Sequence, residues 1–179
     1  DREKRVAMRT DAIFRIASLS KPITSVALMM LVEEGRVQLE DPVSVYLPEL
    51  TNLKVGVEKT AADGSRELAM EPARREPTVQ DLLRHTSGFT YGQFGTSLVK
   101  KAYLEVRIQD ENQPQGEFIT KLAKLPLASH PGTMWDYRDS MDVAGRIVEV
   151  ISGMPLDRFV ADRITTPLGM PSTGYFVPA

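Results

Sequence analysis

Apolar positions in this chain recur mostly at helical spacing, and the strongest run spans residues 14–35. There Ile23, Val26, Ala27, Met30 and Leu31 fall on one face, with Glu34 closing the pattern, so that face is expected to enter a core. Pro22 suits a first helical turn, where its missing N–H costs nothing, and Gly35 is a natural C-terminal stop. The preceding Phe14-Arg15-Ile16-Ala17 reads as extended, and the first eleven residues as polar and extended.

A second strong helix is predicted over Ser140–Ser152, with Met141, Ala144, Ile147, Val148 and Ile151 inward and Gly153 as its stop. Pro155 opens another, with Leu156, Phe159, Val160 and Ile164 inward. Residues 97–106 and 117–125 read as amphipathic helices separated by a polar stretch. Thr78 is placed to cap the short helix Val79–Arg84, with Asp81 at the third position as in a capping box. Between these lie weaker signals. Val37-Gln38-Leu39-Glu40 alternates briefly, and Asp41-Pro42 begins a short helical turn that Pro48 ends. Residues 51–77 form a charged excursion in which Val55-Gly56-Val57 and Leu68-Ala69-Met70 flank Asp63-Gly64, the pattern of a loose hairpin. Pro167, Gly169 and Pro171 lead to a strand-like Gly174-Tyr175-Phe176-Val177. Helices dominate, and the extended pieces at both ends point to a sheet whose other strands lie outside these 179 residues.

Composition narrows the function classes. With 42% hydrophobic and 26% charged residues, the chain is that of a globular protein with a sizeable core, one domain or part of one. A net charge of −2, with no basic cluster among aromatics, offers no field for nucleic acid. No apolar stretch is long enough to span a bilayer as a helix. Cysteine is absent, and His85 and His130 are the two histidines, without carboxylate neighbours at metal-ligand spacing, so neither metal nor cofactor is expected. Compartment is unreadable.

The chemistry resides in Ser18-Leu19-Ser20-Lys21. Three apart on a helical turn, Ser18 and Lys21 can touch. Unpaired N–H groups and the helix dipole favour developing negative charge there. Ser-x-x-Lys is a signature of serine acyl transfer, with the amine beside the nucleophile. The bland alternative is a helix-start serine with a solvated lysine. A second match, Ser97-Leu98-Val99-Lys100, follows Gly95-Thr96 and reads as the cap of a surface helix. Phe89, Tyr91 and Phe94 either line an acyl-group pocket or pack in the core and loops.

Several segments together resemble a family. Residues 14–35 run on through Val37-Gln38-Leu39-Glu40-Asp41-Pro42-Val43 and Tyr46-Leu47-Pro48. Leu82-Leu83-Arg84-His85-Thr86-Ser87-Gly88 comes next. Pro131-Gly132-Thr133-Met134-Trp135-Asp136-Tyr137 precedes Asp142-Val143-Ala144-Gly145-Arg146-Ile147-Val148-Glu149, and Pro167-Leu168-Gly169-Met170 follows. In that order they are similar to the serine β-lactamase and penicillin-binding-protein superfamily. The class C β-lactamase-like branch, which includes the family VIII carboxylesterases, is the nearest part of it. The resemblance implies an α+β, β-lactamase/transpeptidase-like fold of which this chain supplies mainly the helical lobe, the main antiparallel sheet being largely missing. It implies Ser18 as nucleophile, Lys21 as its neighbouring amine and Tyr137 as second base or acid. The Ser18 N–H would form half an oxyanion hole. The family's third motif, on a strand supplying the other half, is not in these residues, nor are its opening strands. Residues 1–179 are therefore expected to be a partial domain, completed by the remainder of the same polypeptide and incomplete as a catalyst alone.

Proton chemistry and one departure refine this expectation. A lysine near pKa 10.4 or a tyrosine near 10 needs a depression of roughly three units, about 4 kcal/mol, to be a ready base at neutral pH. Nearby cations lower both, so a charged Lys21 favours Tyr137 as the base. The β-lactamases of this branch carry Tyr-x-Asn, whose amide engages the substrate's side-chain amide, whereas Tyr137-Arg138-Asp139 stands here. A carboxylate would keep Lys21 charged and replace a donor by an acceptor. Alternatively, Asp139 only caps the helix from Ser140. His85 reads as a structural histidine rather than a general base. The expected activity is that of a serine hydrolase on short-chain or aromatic acyl esters. A β-lactamase or D,D-peptidase acting on an amide, and a non-catalytic binding module on the same fold, stand behind it.

Overall fold

The computed structural model describes residues 2–93, 95–110, 112–137 and 139–176. Among them six helices surround a core, and one two-stranded antiparallel sheet lies at the side, an α+β arrangement dominated by its helical part. The central pair is α1 (Ser20–Glu33) and α5 (Ser140–Ser152). The latter buries Met141, Val143, Ala144, Ile147 and Val148 and stops at Gly153, whose φ of 72° suits glycine. The expected boundaries of α5 and of α2 (Val79–Arg84) are those observed. Helices α3 (Leu98–Glu105), α4 (Gln115–Leu122) and α6 (Leu156–Val160) complete the set, and a π-helical turn over Ala161–Thr165 extends the last. Leu156, Phe159, Val160 and Ile164 are all buried, as their spacing requires.

Two local readings are realised in detail. The hairpin pairs β1 (Lys54–Thr60) with β2 (Arg66–Pro72), Gly56 opposite Met70, and turns at Gly64. It is joined to the helical body by a bridge from Val55 to Leu127 that the sequence did not announce. Ser97 caps α3, its Oγ accepting the Lys100 amide at 3.2 Å. This second Ser-x-x-Lys is thus a capping interaction.

Other expectations need correction. On α1 the buried residues are Thr24, Ala27, Leu28 and Leu31, while Val26 is 50% exposed. The helix is apolar nearly all round, so periodicity alone could not choose the buried face. Residues 14–16 form no strand: Phe14 is exposed, and a 3-10 turn over Ala17–Leu19 leads directly into α1. The turn from Asp41 is two 3-10 pieces, Val43–Val45 and Pro48–Leu50. Residues 174–176 are bends without a pairing strand among the described residues, and Val177 lies outside them. Helix α4 starts at Gln115, two residues earlier than its apolar pattern, because Pro114 in extended conformation sets its N-terminus. No helix among the described residues is long and apolar enough to cross a membrane.

Asp81 ties the start of α2 to what precedes it. The capping box is complete, with Asp81 N–H donating to Thr78 Oγ1 at 3.2 Å and Thr78 N–H donating to Asp81 Oδ2 at 2.9 Å. Arg75 Nη2 at 3.0 Å and Thr86 Oγ1 at 2.9 Å both donate to Oδ1. Burial alone would push this carboxyl up, but the bonds from Arg75, Thr78 and Thr86 prevail and hold it below its ordinary value. Its contribution is therefore present above the ordinary carboxylate range and disappears as pH falls through the lowered folded value. Asp81→Ala is expected to lower stability in urea unfolding by about 2 kcal/mol at neutral pH. The gap from wild type should close below about pH 4.

Candidate active site

Ser18 sits in the middle of the Ala17–Leu19 turn, one residue after a backbone kink. Ala17 has φ 45°, a left-handed conformation uncommon for a residue with a side chain. The Ser20 hydroxyl donates to the Ala17 carbonyl at 2.7 Å and the Leu19 amide to Ile16 at 2.9 Å, so the kink is held from both sides. Strain of this kind persists where surroundings over-determine it, often at functional sites. Lys21 Nζ, one turn on, lies 3.5 Å from Ser18 Oγ, at the outer limit of a hydrogen bond. The same nitrogen stands 4.9 Å from the centre of the Tyr137 ring. Ser18, Lys21 and Tyr137 thus meet in one cleft of about 500 Å³, with Leu83, His85 and Met141 among its walls.

Tyr137 reaches this cleft from an irregular loop, and residues 85–88 fix that loop. The Asp136 amide donates to His85 O at 2.8 Å, Gly132 to Thr86 O at 2.7 Å, and Ala128 to Gly88 O at 2.8 Å. Side chains add two ties. Thr90 Oγ1 donates to Asp136 Oδ2 at 3.0 Å, and the buried hydroxyls of Ser87 and Ser140 share a 2.9 Å bond. Gly88 is required by close approach: a Cβ there would lie 2.3 Å from the Ser129 carbonyl oxygen, on a backbone with φ 88°. Gly132 likewise leaves room for Arg75 Nη2, which a Cβ would meet at 2.3 Å. The His-Thr-Ser-Gly segment is therefore a clamp on the tyrosine loop.

This clamp and the Ser-Lys-Tyr cleft meet a matching family profile: that of the Beta-lactamase family covers residues 1–179. The chain belongs to the beta-lactamase family. It is 38% identical over 174 residues to Protein Rv1367c of Mycobacterium tuberculosis, covering 97% of this chain and 42% of that protein. It is 34% identical over 177 residues to Esterase EstB of Burkholderia gladioli, covering 98% of this chain and 41% of the esterase. Among solved structures it resembles EstCE1, a hydrolase with promiscuous acyltransferase activity, with a TM-score of 0.71, 27% identity, and coverage of 94% of this chain and 41% of that one. The chain spans about two fifths of the length of these relatives. The serine β-lactamase/penicillin-binding-protein superfamily and its fold, represented here mainly by the helical lobe, are those expected from the motifs.

In this beta-lactamase-family chain the proposed substrate contacts separate. Phe89 is 1% exposed and belongs to the hydrophobic core, so it does not line an open pocket. Tyr91 is half-buried and is pushed up to about 12, by burial first and then by the charges of Asp139 and Asp142. Phe94 and Arg138 lie outside the described residues. Asp139 occupies the N-cap position of α5 but makes no side-chain cap; its Oδ1 accepts from Gln109 Nε2 at 2.9 Å, and the residue is 1% exposed. Tyr91 also hydrogen-bonds to Gln109, so a hydrogen-bonded chain links Tyr91, Gln109 and Asp139.

Three participants escaped the sequence reading. Gln109 comes from a polar stretch without any motif. The carboxyl of Asp142 is pushed above its ordinary value by burial, with the Lys21 charge opposing, so a carboxylate on α5 lies in the field of the amine. Its spacing of three from Asp139 on the same helix could have revealed it. Met141, whose sulfur accepts from Ser25 Oγ at 3.3 Å, joins α5 to α1 beside the cleft. Gly88→Ala should cost more than about 1 kcal/mol of stability in urea unfolding, because it combines a clash with a left-handed backbone. Ester turnover should fall with it as the Tyr137 loop shifts, measured on the intact protein.

Proposed function

We propose that the protein is a serine hydrolase working through an acyl-enzyme, with short-chain or aromatic acyl esters as substrates. The observation that carries this reading is the convergence of Ser18, Lys21 and Tyr137 on one cleft. Ser18 Oγ attacks the ester carbonyl and gives its proton to the Lys21–Tyr137 pair. The carbonyl C–O bond to the alcohol then breaks, and the alcohol leaves with that proton. Water, deprotonated by the same pair, attacks the acyl-serine and releases the acid. The Ser18 N–H supplies one donor to the oxyanion, and the remainder of the same polypeptide supplies the other. That remainder also covers the apolar face that Phe14, Val26 and Met29 leave open, completing the domain of which residues 1–179 are part.

The tyrosine is the better base in this reading. Its ring lies under the Lys21 amine, which stands 4.9 Å from the ring centre, so Tyr137 and Lys21 can pass a proton within one pocket. Ester rather than β-lactam chemistry is supported by Asp139, a carboxylate acceptor already engaged by Gln109 where the β-lactamases present an amide. The likeness to an esterase supports the same ordering.

The intact protein should turn over p-nitrophenyl acyl esters faster than a chromogenic cephalosporin; the reverse order would make it a β-lactamase or D,D-peptidase. A fluorophosphonate should label Ser18 and leave Ser18→Ala unlabelled, while absence of an adduct in the wild type would favour a ligand-binding module. Tyr137→Phe should lower kcat by about 10²- to 10⁴-fold, read from steady-state ester hydrolysis.

A further inference from the structure

His85 takes part in none of these steps, yet it is built into the cleft. It ends α2 with φ 57°, left-handed and uncommon for a residue other than glycine. Its carbonyl holds the Asp136 amide, so the backbone of His85 is bonded to the residue preceding Tyr137. Its ring lies against the Tyr137 ring, with centroids 4.8 Å apart and planes tilted by 44°. Trp135 meets the imidazole edge-on at 6.3 Å and stacks beside Tyr137 at 6.2 Å. The phenol therefore stands between an imidazole, an indole and the Lys21 amine.

The charge state of this imidazole matters. Lys21 faces it from α1, and Asp136 and Tyr137 face it from the loop. Its Nδ1 is buried and has no hydrogen-bond partner among the described residues. An imidazolium is a donor at both nitrogens, so protonation would bury an N–H without an acceptor and add a second cation beside Lys21. Burial first, and then Lys21, hold His85 below its ordinary value of 6.5, with Asp136 opposing. At neutral pH the ring is uncharged, and a neutral ring packs against the phenol without competing with Lys21.

We propose that His85 is a positioning residue for Tyr137: as a neutral imidazole it seats the phenol ring against Lys21, and its protonation displaces that ring and switches turnover off on the acid side. The inference rests on the reading of Lys21 and Tyr137 as the reacting pair, but the seating of the ring does not require Ser18 to be the nucleophile. The sign follows from the lowered value: the active arrangement is complete above it and is lost as pH falls through it, below about 6.5.

The test is an NMR titration of the intact protein with ¹³C-labelled tyrosine between about pH 5 and 8, with steady-state ester hydrolysis over the same range. Tyr137→Phe assigns the signal. Two variants separate the roles: His85→Phe keeps a flat ring that cannot take a proton, and His85→Asn suits the left-handed backbone but removes the ring. In wild type the Tyr137 signal should move as His85 titrates, and kcat should fall about tenfold or more with it. In His85→Phe both transitions should vanish, whatever turnover it keeps at neutral pH. His85→Asn should lower kcat at neutral pH with KM little changed. A wild-type Tyr137 signal indifferent to His85 protonation, or the same transition in His85→Phe, overturns the proposal. If Tyr137 follows His85 while Ser18→Ala still hydrolyses ester at the wild-type rate, the nucleophile assignment falls and the positioning role stands.

Discussion

Three backbone hydrogen bonds between residues 85–88 and residues 128–136 decide where the phenol of Tyr137 stands. The loop carrying it has no regular structure, so nothing in its own sequence could hold a ring to within a few tenths of an ångström. The rigidity is imported from α2. A capping box at Thr78 and Asp81 fixes the start of that helix, a left-handed residue ends it, and Gly88 lets the next strand of chain approach Ser129. Each of these ties is modest alone, of the order of 1 kcal/mol for a neutral hydrogen bond or a cap. Acting in series on one short segment, they reduce the choices of the tyrosine loop to one.

The other half of the site is local. Ser18 and Lys21 are brought together by a single turn and a kink at Ala17, and need no distant support to stay neighbours. The two halves differ in how they can fail. Damage to the α2 clamp would leave the serine and amine in place while displacing the phenol, which in the proposed reading separates nucleophile from base. Damage at Ala17 or Ser20 would do the reverse. Electrostatics joins the halves: Lys21 sits over the ring, near the imidazole of His85 and within the field of Asp142. Because the carboxylate lies on α5, the charge balance of the cleft depends on α1 packing against α5, a contact made through Ser25 and Met141 at the cleft and through the core residues below it.

Elements with both an apolar face and a chemical stop were legible in the sequence. α5 had five inward residues and a glycine end; α2 had threonine and aspartate at capping spacing; the hairpin had Asp63-Gly64 between apolar triplets. Ser18 and Lys21 were legible because their spacing is the geometry itself, and Tyr137 because its motif travels with the others. What failed has a common cause. Val26 was placed inward because a helix apolar on all sides gives periodicity nothing to choose between. Phe89 was offered as a substrate contact because an aromatic in a loop looks the same in sequence whether it faces a cleft or a core. Gln109 was invisible: its partner Asp139 is thirty residues away, and no local pattern encodes that bond.

The all-round apolarity of α1 bears on the site as well as on the fold. A helix with Thr24, Ala27, Leu28 and Leu31 buried in the core and with Val26 and Met29 open on the other side has hydrophobic surface on two faces. Such a helix is stable in place when both faces are covered, and its N-terminal turn then becomes a fixed point between two layers. That is the position of Ser18. In the proposed reading of Ser18 as nucleophile, a serine held on both sides in this way loses little when substrate binds, since the turn has no freedom left to surrender. In the proposed reading, the residues that complete the domain therefore do more than add an oxyanion donor. By closing over Val26 and Met29 they hold α1 against α5, and with it the separation of Ser18 and Lys21 from Tyr137.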